Sequence, residues 1–395
     1  MKSTKNLVVN AALCDMTQLS EELLEQYESI QVNAACILQS ARSALLTARY
    51  GVKQNSACTL TISDQASVTV KNGSYELPPS TDLPPHSVLI VNGNLVIPPQ
   101  SVPAIQQYEQ LLVNGEVFYP DTYTCDIHVN GTQTVYPASA RLIHSDLEPD
   151  RIFILRAREN TLYFLTGTLL LTNPELALKE LIRKNVTFHC RKALVLESLL
   201  EDSLSILDEK TPVTILPDGC RILNGSQVQE ASRLSSFGKK IYLNGDLTFF
   251  SARQAEQAFA GLEYLTVTGT IYLPASFSSS MLSALPGNHK NVVHLKGTPI
   301  MQKAEVLIDR SLLEQAADRL HVLECASVTV SPDVTPQLLK ERLILEECAL
   351  VHCPESLKGT LQLISHDVAQ FMDLSDGEDT PEKDCVTINA AQYAF

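Results

Sequence analysis

The sequence predicts an α/β fold that grows by repetition: a right-handed solenoid of short strands, Asn-Gly corners and short return helices. Three observations predict it. A phrase of apolar run, polar residue, glycine and second apolar run recurs, as in 87–98 (SVLIVNGNLVIP), 110–120 (QLLVNGEVFYP), 126–137 (DIHVNGTQTVYP) and 240–250 (KIYLNGDLTFF). Its spacing is that of a strand-plus-return repeat: Asn92 to Asn114 is 22 residues, Asn244 to Thr268 is 24, and Thr268 to Lys296 is 28. The intervals between phrases often carry helical periodicity.

The elements follow in order. Residues 6–14 (NLVVNAALC) and 29–36 (SIQVNAAC) share an apolar-Asn-Ala-Ala phrase 23 residues apart, and 17–27 between them reads as a helix. Cys14, Cys36 and Cys58 fall 22 apart in both steps, and Asn33-Ala-Ala-Cys36 echoes Asn55-Ser-Ala-Cys58, which fits the same period. Asn-Gly pairs at Asn72, Asn92, Asn114, Asn130, Asn224 and Asn244 mark sharp bends. Such a pair suits either a two-residue hairpin or a solenoid corner, because glycine accepts positive φ and asparagine bonds neighbouring backbone. The helical intervals favour the corner. Residues 161–171 (TLYFLTGTLLL) and 292–300 (VVHLKGTPI) fit the strand phrase, and 174–182 (PELALKELI) reads as a helix. In 251–262, Ala252, Ala255, Phe259 and Leu262 share one helical face, with Ser251 as N-cap. Residues 311–320 repeat the pattern, and 335–343 begins with Thr335 before Pro336 at the first helical position. The stretch 141–240 is the least regular, so residues 1–372 read as one elongated repeat solenoid, irregular at about 141–240.

Residues 262–273 (LEYLTVTGTIYL) resemble the strand segment of a leucine-rich repeat, with Leu262, Leu265 and Val267 as the inward positions. The resemblance is one of rhythm; the family's asparagine falls a little later than Gly269 here. It implies a leucine-rich-repeat-like solenoid that binds other proteins on a curved sheet face.

A pile of coils leaves open edges at its ends. Residues 373–384 (DLSDGEDTPEKD) hold six acidic residues and one lysine, and read as a flexible acidic linker. Beyond it, 385–395 (CVTINAAQYAF) regains strand character, with Val386, Ile388 and Ala390 alternating and Tyr393 and Phe395 as anchors. These five are the candidate interaction residues, since a charged tether before an apolar strand suits β-augmentation. The strand has three available fates: a cap on its own molecule, docking on a neighbour, or a free tail.

Composition narrows function. The formal net charge of −15 disfavours a nucleic-acid binder, which needs a basic face, and equally an anionic membrane surface. No apolar run of 18 residues and no signal-peptide pattern occur, and the ten cysteines are scattered. This points to a cytoplasmic, bacterial protein with reduced thiols. The Asn-x-Ser/Thr matches at Asn72, Asn130, Asn185 and Asn224 are attributed to turn chemistry. Nucleotide loops, serine elbows and zinc-protease motifs are missing, and His144–Asp146 and His366–Asp367 have no nucleophile pattern attached. Cys348, His352 and Cys353, with Cys325 one repeat earlier, have zinc-ligand chemistry; the 23-residue step from Cys325 to Cys348 reads instead as a buried core column. Tyr119, Tyr136, Phe249, Phe250 and Tyr272, near corners, read as packing groups or a binding face. The expected role is a non-enzymatic protein-binding or scaffold solenoid without cofactor or metal, partnered by protein or by itself. The alternative is a self-assembling protein that polymerises end to end through its last strand. A carbohydrate-active solenoid enzyme would need paired carboxylates on the repeat strands, which the sequence lacks.

Overall fold

The computed structural model describes residues 5–79, 82–228, 231–289, 291–374 and 385–395. Strands pair only in parallel among these residues, in eight sheets of three or four. Parallel neighbours require a crossover between them, and the short helices and turns supply it. The fold is a mixed α/β repeat architecture.

The sheets group into five blocks along the chain. The first contains β1 (Asn6–Asp15), β2 (Ser29–Gln39), β3 (Lys53–Thr61) and the final strand, Cys385–Ala394. The second runs from Ser67–Asn72 to Gln133–Tyr136 and the fourth from Arg221–Asn224 to Val292–Leu295, each with two sheets. The third is one sheet of Arg141–Ile143, Leu162–Leu171, Thr187–Leu196 and Val213–Leu216. The fifth extends from Thr298–Met301 to Gln370–Asp373, again with two sheets. Where the sequence reading runs one ladder through residues 1–372, strand pairing among the described residues stops at four places, between successive blocks. The irregular centre is the third block, whose two longest strands pass straight through with a register shift between Leu165 and Thr168 in place of an Asn-Gly bend.

The Asn-Gly pairs are corners. Ser67–Asn72 lies in one sheet and Tyr75–Glu76 in another, and each pairs with the next layer instead of with its partner across the bend. The asparagines form ladders: Asn92 Nδ2 donates to Asn72 Oδ1 at 3.1 Å, Asn114 to Asn92 at 2.9 Å, and Asn130 to Asn114 at 2.9 Å. In the fourth block Asn244 donates to Asn224 at 3.4 Å, and Thr268 Oγ1 to Asn244 at 3.1 Å. The fifth block turns without Asn-Gly. Gln302, Glu324, Glu347 and Asp367 occupy left-handed backbone at φ of 55, 53, 52 and 52°, a conformation that costs a non-glycine residue about 1 kcal/mol.

The helices match the predicted intervals in place but are shorter. The helix within 17–27 covers Glu21–Leu24, with Ser20 Oγ accepting from Leu23 N–H. The one predicted at 174–182 covers Leu178–Arg183, and the one predicted at 311–320 covers Arg310–Gln315, because Leu320 already opens a strand. Ala252–Ala260 forms as expected, yet Ser251 makes no side-chain cap bond. Thr335 does cap Pro336–Arg342, accepting from Leu338 N–H at 3.3 Å. Thr335→Ala should therefore cost about 1 kcal/mol, read as a small fall in the denaturant midpoint at unchanged slope.

Each block has its own aliphatic core. The inward positions Leu262, Leu265 and Val267 are buried in the fourth block's core, as the repeat rhythm implies. Neighbouring blocks pack side by side through the outer faces of their sheets. Leu89 and Val91 point into the second block, whereas Val88 and Ile90, one residue out of phase, pack against Leu13, Cys36, Leu38 and Ile62 of the first. Phe118 and Tyr136 meet Phe164 of the third block, and Tyr272 and Leu295 meet Leu323 of the fifth. Strands buried on both faces read as continuous apolar runs, which is why SVLIVN shows no alternation. No helix among the described residues is long and apolar enough to cross a membrane.

Candidate strand-addition site

The first block is the part of the fold in which one strand arrives from a distant part of the chain. Two caps set its spacing. Ser40 and Ser43 form a reciprocal capping box at the start of Ala41–Tyr50, and Gly51 ends that helix in left-handed backbone at φ 67°. The chain then delivers β1, β2 and β3 in register, Asn10 beside Asn33 beside Asn55. Asn33 Nδ2 donates to Asn10 Oδ1 and Asn55 Nδ2 to Asn33 Oδ1, both at 2.8 Å. The amide ladder thus has a polarity, each asparagine donating toward β1.

The final strand lies on the other side of β1, in parallel, over nine paired positions. Asn389 stands at the level of Asn10 and Ala390 at that of Ala11, so the phrase shared by the two ends of the chain marks equivalent layers. Val386 sits beside Leu7, Ile388 beside Val9 and Tyr393 beside Cys14; Phe395 N–H donates to the Asp15 carbonyl at 3.0 Å. Ile388, Tyr393 and Phe395 pack on the first block's core, with the two rings edge to face at 5.1 Å between centroids. Burial, with Tyr27 and Cys14 nearby, raises the Tyr393 hydroxyl above its ordinary pKa. Val386 remains 39% exposed. The acidic linker lies outside the described residues except for Asp373 and Leu374.

Asp373 and Cys385 are joined by a chain that reaches at most roughly 40 Å. Stacked in one line, some nineteen layers at 4.8 Å would measure roughly 90 Å. Side-by-side packing of the blocks is what lets the final strand reach β1.

Among the described residues no further strand pairs with either outer edge of this sheet, and Gln110 Nε2 donates to the Thr61 carbonyl at the end of β3 at 2.8 Å. Most β3 residues are exposed, and a cleft of about 500 Å³ lies beside its Leu60, bordered by Tyr108, Gln110, Tyr123 and His128 of the second block. Edge strands are ordinarily protected by charge, proline or brevity. β3 (KQNSACTLT) is nine residues long with one lysine, and the final strand (CVTINAAQYA) is ten long with no charge at all.

The other candidates fall apart as sites. Cys36 and Cys58 stack in register, but Cys14 faces the opposite core. Asn10 to Cys14 is one residue longer than Asn33 to Cys36, and one residue of strand reverses the face. Burial pushes the Cys14 and Cys36 thiols up to about 12, which leaves them inert as nucleophiles. Cys325, Cys348 and Cys353 are core groups of the fifth block, whereas His352 points to the opposite face, beside Ser327 and Thr329. Alternation along Leu350–Cys353 separates the proposed ligands, and no cluster of metal-ligand type occurs among the described residues. Tyr136, Phe249 and Tyr272 are buried packing groups, Tyr119 is half-buried, and Phe250 is exposed. The trio of buried His321, half-buried Glu346 and exposed Lys296 is the feature that sequence reasoning missed; its members lie 25 and 50 residues apart with no motif to join them. Comparison of the chain with protein-family models, with curated proteins and with solved structures finds no match in any of the three.

Proposed function

We propose that the chain is a non-enzymatic cytoplasmic scaffold that binds protein by strand addition, its repeats forming right-handed, leucine-rich-repeat-like coils. One observation carries this reading. The final strand matches an internal layer of the first sheet at nine positions, with the same Asn-Ala-Ala phrase in the same register. A strand held through backbone bonds and a few apolar anchors is the usual unit of β-augmentation. Here the affinity comes from the backbone ladder and the selectivity from Ile388 and Tyr393 on the core side.

The test uses a chain ending at Asp373 and a labelled peptide of residues 385–395. The peptide is expected to bind the shortened chain, seen as a rise in fluorescence anisotropy. A peptide with Ile388→Asp should bind at least about tenfold more weakly, because a carboxylate would replace a core side chain. Absence of binding by the unaltered peptide would refute strand addition at β1.

A further inference from the structure

We infer that the partner is a second copy of this chain, whose final strand lies along the outer edge of β3 in parallel register, so that copies join head to tail. The inference rests on the strand-addition reading and names its partner. Three observations point to a copy of the same chain.

First, the open edges are the two ends of one four-stranded sheet, in the order β3, β2, β1, final strand. A translated copy therefore presents a strand of the correct direction to β3, and the Gln110 side chain bonded to the Thr61 carbonyl would give way to it. Such a contact is heterologous and does not close, so it repeats.

Second, the register is already written in the sheet. Asn55 pairs with Asn33, Asn33 with Asn10, and Asn10 with Asn389. Extending the sheet by one layer places the next copy's Asn389 at the level of Asn55. Asn55 spends its amide N–H on Asn33, and among the described residues no donor reaches its Oδ1. The open end of the ladder is thus an acceptor, the group that a further asparagine layer would engage.

Third, charge does not oppose the contact. The same register sets Lys53 beside the next copy's Thr387, since Lys53 pairs with Gln31, Gln31 with Val8, and Val8 with Thr387. Lys53 is the one charged residue on either edge strand. A foreign partner would have to supply this direction, register and neutral edge by coincidence.

Thr387 is exposed, and among the described residues its partner across the sheet is Val8. Charge placed there tests the contact between copies while sparing the cap. Light scattering coupled to size exclusion, over a wide concentration range, should show the full chain growing with concentration to whole multiples of the single-chain mass. Thr387→Lys, which sets like charges opposite one another, should abolish the growth. Thr387→Glu should extend it to lower concentration, and added salt should erase the difference. Both variants should keep the unaltered thermal midpoint, because the cap is untouched. A full chain that stays a single copy throughout would overturn the inference, as would growth that ignores both substitutions. Either result leaves standing any capture of peptide 385–395 by the shortened chain, so the two readings fail separately.

Discussion

Gly93→Ala is expected to unfold the second block, and Gly73→Ala, one layer away, is not. Both glycines follow an asparagine at a corner and both have positive φ, 145° at Gly93 and 85° at Gly73. They differ in what stands beside them. A Cβ on Gly73 would meet nothing within 4 Å, whereas a Cβ on Gly93 would overlap the carbonyl of Gly73 itself. The obstacle is backbone in a hydrogen-bonded ladder, so no rotamer change relieves it. Gly73→Ala should cost about 1 kcal/mol, the ordinary penalty for a side chain in left-handed backbone. Gly93→Ala should cost on the order of 4 kcal/mol, enough to remove much of a domain's stability. Because each block has its own core, the loss of amide protection should concentrate in residues 67–136. Hydrogen exchange checks it: uniform loss along the chain would contradict the division into blocks, and equal midpoints for the two variants would contradict the stacked corner.

His321→Leu should weaken the seam between the fourth and fifth blocks and flatten the pH dependence of stability. His321 is fully buried. Its Nδ1 accepts from Lys296 N–H at 3.1 Å, which puts the ring proton on Nε2, and Nε2 donates to Glu346 Oε2 at 2.9 Å. Lys296 Nζ bonds the other carboxylate oxygen. Burial lowers the His321 pKa below its ordinary 6.5, outweighing the neighbouring carboxylate, and the Lys296 charge lowers it further. At Glu346 burial acts to raise the pKa, but the bonds from Lys296 and His321 prevail and hold it below 4.5. Between the folded value and 6.5 the unfolded chain binds a proton that the folded chain refuses, so stability rises with pH there and falls as pH drops below about 6.5. Glu346 adds a loss in the same direction below about 4.5. Leucine fills similar volume but leaves the Lys296 amide and the carboxylate short of a partner, at a cost of about 3 kcal/mol. Melting curves across pH 7.5 to 5 should show a lower midpoint in the variant and a smaller drop on acidification, over an interval set by the unperturbed histidine pKa. A drop equal to that of the unaltered chain would remove His321 from the account.

The repeat was legible in the residues because its causes are local. Asn-Gly marks a bend that glycine tolerates, Thr335-Pro336 opens a helix in any context, and the apolar-Asn-Ala-Ala phrase at both ends marks equivalent layers because a parallel ladder stacks like on like. The shared 22-residue step of Cys14 and Cys36 gives the period but not the face, because the asparagine before each lies at a different distance. Cys348, His352 and Cys353 likewise look like ligands until the pleat sends His352 the other way.

Sequence alone determined the kind of layer, its corners and the final strand's fitness for one, since each depends on backbone geometry within a few residues. Tertiary structure alone decided where the ladder stops, that the blocks lie side by side, and that β1 receives the final strand while β3 pairs with no further strand among the described residues. Those outcomes turn on which apolar face meets which across long stretches of chain, and identical Val, Leu and Ile side chains serve equally well inside a block or between two.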